Sequence, residues 1–78
     1  PDSLKRAKVP GEALVEFVVD TTGVPELETI GVVAATHALF GTAARDAVPS
    51  ARFVPARREG RAVRQLVQLP VRFETAAP

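Results

Sequence analysis

The 78-residue chain contains no cysteine, methionine, tryptophan or tyrosine, and its one histidine is His37. Without cysteine there is neither a disulfide framework nor a thiolate metal site, so stability has to come from burial alone. Nucleophilic catalysis needs a nucleophile beside a base, and the only serines are Ser3 and Ser50, both near expected helix ends. His37 follows a probable helix cap and has no ligand-spaced companions, so it reads as an exposed helix-start residue and not as a metal ligand. Glu26 and Glu28 would share one side of a strand, where they read as a solvated face. The sequence therefore predicts a non-enzyme with no cofactor and no bound metal. No apolar run approaches the roughly 18 residues of a membrane span, and no signal segment opens the chain.

The residues that are present describe a folding chain. Hydrophobic residues make up 46% and charged residues 24%, which places it in the globular class as a single domain over residues 1–78. Net charge is only +1, but its signs separate. Residues 1–50 hold four Lys/Arg against seven Asp/Glu, and residues 51–78 hold six against two. Arg52, Arg57, Arg58, Arg61 and Arg64 supply most of that basic part, which raises a small RNA-binding domain as an alternative function. That alternative lacks exposed aromatics at stacking positions and a Gly-x-x-Gly clamp, so no nucleic-acid partner is expected.

Pro1 to Lys8 has proline at a good first-turn position and Asp2 near the positive end of a helix dipole, predicting a short helix that Val9-Pro10-Gly11 stops. Glu12 to Asp20 alternates, with Ala13, Val15, Phe17 and Val19 on one face, as a strand does. Asp20-Thr21-Thr22-Gly23 carries hairpin-turn residues. A second strand is expected near Glu28 to Ala34. Thr36 would then cap a helix whose apolar stripe is Phe40, Ala43, Ala44, Ala47 and Val48. Pro49 ends it, Phe53 anchors back into the core, and Val54 to Gly60 reads as a loop. Arg61 to Phe73 reads as one long last strand, and residues 73–78 run from its end into a frayed tail.

This order, α-β-β-α-β, predicts an α+β domain: two helices on a three-stranded antiparallel sheet in the order 2-1-3, with strands two and three as edges. Strand two has Pro25, Glu26, Glu28 and Gly31 to blunt its edge. The eleven residues Val63 to Phe73 span roughly 36 Å at about 3.3 Å per residue, enough to overhang strand one. Pro70 lacks a ladder donor and so favours an edge position. A long free edge invites an added strand from a partner, or self-pairing into a homodimer through the last strand.

Over essentially its whole length the chain resembles the C-terminal domain of TonB-family energy transducers. The resemblance rests on Pro1, on Gly11 with Glu12-Ala13-Leu14-Val15-Glu16-Phe17-Val18-Val19-Asp20 and Gly23, and on the helix Phe40 to Val48. It continues through Phe53-Val54-Pro55-Ala56, Gly60-Arg61-Ala62-Val63 and Pro70-Val71-Arg72-Phe73. It implies a periplasmic domain whose parent carries an inner-membrane helix, absent here, and is driven by the proton-motive force. The implied partner is the TonB box of an outer-membrane transporter, paired to the last strand for nutrient uptake. Carried onto this chain, the partner-binding residues are Arg61, Val63, Arg64, Gln65, Leu66, Val67, Gln68, Leu69 and Val71. Similar domains are also appended to membrane sensors and peptidases, the alternative setting. Two positions depart from the family pattern: the approach to strand two around Pro25 to Glu28 is longer, and Ala35-Thr36 replaces the usual Ser-Ser or Ser-Thr pair.

Overall fold

The computed structural model describes residues 10–74. Strand β1 (Gly11–Val19) lies at the centre of a three-stranded antiparallel sheet, between β2 (Gly31–Ala35) and β5 (Gln65–Phe73). Helix α1 (Ala38–Ala47) packs against β1 and β2. Two short strands, β3 (Ala56–Arg58) and β4 (Arg61–Val63), form a separate hairpin. The expected sheet order is the one observed.

The alternating burial of β1 explains its central place. Ala13, Val15, Phe17 and Val19 are all buried on the helix side, where they meet Phe40, Ala44 and Val48. Val67, Leu69, Val71 and Phe73 of β5 complete this core from the edge, each half-buried. Gly11 is buried because the Phe40 ring lies over it. A Cβ there would collide with that ring, which stacks obliquely on Phe73 with centroids 4.9 Å apart. At the other end of the sheet, Phe53 packs on Phe17 with centroids 5.4 Å apart.

The turn after β1 is held by Asp20. Its Oδ1 accepts from the Thr22 hydroxyl at 2.6 Å and from the backbone N–H groups of Thr22 and Val24 at 2.8 and 3.0 Å. These bonds, the Thr22 hydroxyl foremost, hold the Asp20 carboxyl below its ordinary pKa. Gly23 has φ of 89°, a left-handed conformation that side chains rarely adopt, and its carbonyl accepts from Phe53 N–H at 2.9 Å.

Several expectations are corrected. The described residues hold one α-helix, the second of the two expected; the first, expected over 1–8, lies outside them, as does most of the tail. The second strand starts later than Glu28, because Leu27–Thr29 forms a 3-10 turn. Thr29 stabilises that turn by donating its hydroxyl to the Glu26 carbonyl while accepting from Val18 N–H, so its side chain stands in for a strand rung. Glu26 and Glu28 consequently do not share a strand face. Thr36 is not the cap: it bonds to the Glu12 backbone, and the His37 side chain accepts from Leu39 N–H at 3.1 Å instead. The loop expected over Val54 to Gly60 contains β3.

The long last strand is two strands divided at Arg64, because Val19, opposite Gln65, is the end of β1 and nothing on β1 remains to pair with earlier residues. Those residues pair with Ala56–Arg58 instead. The expected overhang is absent, since all nine residues of β5 face all nine of β1.

Candidate protein-docking edge

Strand β5 ends the sheet, and among the described residues nothing pairs with its outer side. The register shows which of its main-chain groups point outward. Even-numbered residues of β1 turn their backbone toward β2: Glu12 bonds with Thr36, and Val18 with Thr29 and Glu26. Odd-numbered residues of β1 therefore turn toward β5, where they face Gln65, Val67, Leu69, Val71 and Phe73. This leaves Leu66, Gln68, Pro70 and Arg72 with outward main-chain groups. They offer carbonyls at all four positions and N–H donors at every one except proline. Pro70 thus costs the sheet no internal bond, and its position on the outer side is why a proline is tolerated in a paired strand.

The same four side chains stand on the sheet face opposite the helix. Leu66 is 62% exposed. Gln68 donates to Glu16 across the strands at 3.2 Å, and Arg72 bonds Glu12 at 3.0 Å. Leu14, Ala34 and Pro70 help line a shallow hollow of about 410 Å³ on this face. An extended segment laid along β5 would alternate its side chains between this face and the helix side.

The structure divides the residues carried over from the family. Gln65 through Leu69 and Val71 lie on β5, with Leu66 and Gln68 outward and Gln65, Val67, Leu69 and Val71 bonded inward. Arg61 and Val63 lie on β4, off the three-stranded sheet. Arg64, between them, is engaged by Glu26 through two bonds of 2.6 and 2.8 Å. That Arg64 contact lowers the Glu26 carboxyl pKa and raises that of the guanidinium. Two outward positions are not among the carried-over residues: Arg72, which has the same parity as Leu66 and Gln68, and Pro70 through its carbonyl. Of the blunting residues expected for the other edge, Pro25, Glu26 and Glu28 precede β2 and Gly31 begins it; Gly31–Ala35 carry no charge and include a register shift.

The described residues contain no cluster of three or more His, Cys, Asp or Glu suited to a metal ion, and no helix long and apolar enough to cross a membrane. What the fold defines is a small α+β domain whose last strand, β5, is an edge of its three-stranded sheet. Residues 1–75 match the family model described as Gram-negative bacterial TonB protein C-terminal, and the chain belongs to that family. This is a family of non-catalytic, periplasmic interaction domains associated with outer-membrane transport. A comparison with curated proteins found no match.

Proposed function

We propose that β5 is the docking strand for an extended segment of an outer-membrane transporter, the TonB box, and that the domain is the periplasmic end of an inner-membrane-anchored transducer. Through that added strand the transducer would couple proton-motive force to nutrient uptake. The observation that carries this reading is the row of outward main-chain groups at Leu66, Gln68, Pro70 and Arg72, on the last strand of a chain in this family. Each backbone bond contributes about 0.5–1.5 kcal/mol net, so a few of them support reversible docking, with side-chain contacts setting the choice of partner. The gap in donors at Pro70 divides the edge into a Leu66–Gln68 half and an Arg72 end. The strongest pairing belongs to the first half.

Proline substitutions test it. Leu66→Pro and Gln68→Pro each remove an outward N–H while sparing the bonds to β1, so the domain stays folded and affinity for a transporter's N-terminal segment falls by about two- to tenfold. Leu69→Pro removes a bond directed at Val15 and unfolds the edge. Unchanged affinity in both folded proline variants would sink the proposal. Self-association through β5 would occupy the same row, so concentration-dependent scattering should be reduced by the same two substitutions.

A further inference from the structure

The β3–β4 hairpin carries the charge that the rest of the fold leaves uncompensated. Among the described residues, Arg45, Arg64 and Arg72 each stand within 4 Å of a carboxylate, whereas Arg52, Arg57, Arg58 and Arg61 pair with no described carboxylate. Arg52 donates to the carbonyls of Pro49 and Ala51, and Arg57 to that of Gly60. Arg58 and Arg61 have no such use. They are directly opposite each other in the register, on one face of the hairpin, and both are exposed.

Like charges directly opposite on paired strands destabilise the pair. The turn that joins them has positive φ at both Glu59 and Gly60, 52° and 80°, and its one carboxylate is that of Glu59. A self-repelling arginine pair on an exposed two-stranded finger is stabilised by an anion that both guanidinium forks can share, and planar forks match a carboxylate well. Position identifies the source of that anion. Only Arg64 separates β4 from the first residue of β5, so the finger is continuous in the chain with that end of the docking strand.

We infer that Arg58 and Arg61 form a clamp for an acidic flank of the peptide docked on β5, with carboxylates a few residues beyond the paired segment as its ligand. The inference rests on the edge-docking reading and deepens it: β5 holds the backbone, and the finger selects for negative charge next to it. Arg64, already satisfied by Glu26, is not part of the clamp.

The probes are peptides with an uncharged, strand-forming stretch of Thr and Val carrying either Glu-Asp-Glu or Gln-Asn-Gln at one end, each made with the triplet at either terminus. They are titrated into the 78-residue chain by NMR, at low and at physiological salt. The inference expects both sequences to shift the Leu66, Gln68 and Arg72 amides, and the acidic one, in one orientation, to bind about fivefold or more tightly and also shift Arg58 and Arg61. Higher salt reduces that advantage. The double variant Arg58→Gln/Arg61→Gln loses it while keeping the β5 shifts, and its amide exchange within Ala56–Val63 is as slow as the parent's or slower, because the repulsion has gone. A merely structural pair would speed that exchange instead. Equal affinity for both sequences in both orientations overturns the clamp and leaves edge docking intact, whereas no shift on β5 from either sequence overturns both. Acidic peptide that shifts only the finger, or a single-stranded oligonucleotide bound more tightly than the acidic peptide through Arg58 and Arg61, also overturns the clamp.

Discussion

Gly23 brings a backbone requirement and a contact to the same atom. Its left-handed φ disfavours any side chain, and a Cβ there would strike the Phe53 carbonyl, a backbone atom with no freedom to move aside. Gly23→Ala should therefore cost about 1–3 kcal/mol or more, read as a Tm depressed by several degrees; an unchanged Tm would mean that the turn is built differently. Asp20, three residues earlier, gives the same turn a pH dependence. Its folded pKa is lowered by hydrogen bonds to the ionised form. The stability it contributes is fully present above the ordinary aspartate value of about 3.9 and is lost as pH falls through the lower folded value. Glu26, lowered by Arg64, acts in the same direction. Asp20→Asn should consequently lower the Tm at pH 6 but converge toward the parent as the pH falls below the ordinary aspartate value; a constant difference between them would contradict this.

Elements were legible wherever one local pattern ran unopposed. The strict alternation of Glu12 to Asp20 yields β1, and of the expected stripe Phe40, Ala43, Ala44, Ala47 and Val48 the structure buries Phe40, Ala44 and Val48, leaving Ala43 half-buried and Ala47 exposed. The pattern failed where a partner, and not local preference, decides. Arg61 to Phe73 alternates without interruption, yet it is cut at Arg64 by the length of β1, a property of another part of the chain. Ala56–Arg58 was hidden by Pro55, Gly60 and its charges, and by a turn with Glu59 where asparagine would be the usual signal. Glu59 is the one non-glycine residue with positive φ among those described. Glu59→Asn should slow amide exchange within Ala56–Val63 by a few-fold while leaving the global Tm almost unchanged, because the hairpin makes few contacts with the other elements. Faster exchange would show that the glutamate stabilises the turn through its charge.

At the scale of the whole molecule, the division of labour follows from one helix covering one face of a three-stranded sheet. That face provides the core, and its opposite is left exposed with Leu66 and Pro70. Sheet order was readable from connection rules and from Pro70. Which groups of β5 face outward was not, since that parity depends on the register against β1. The central claim is that the outer row of β5 is free in the isolated domain and becomes paired in the complex. Residue-resolved amide hydrogen exchange, with and without a transporter's N-terminal segment, tests it most directly. The account predicts that in the free domain Leu66 and Gln68 exchange far faster than Val67 and Leu69, and that the partner slows the first two selectively. Protection of Leu66 and Gln68 in the free monomer, or binding that leaves their exchange unchanged, would contradict it.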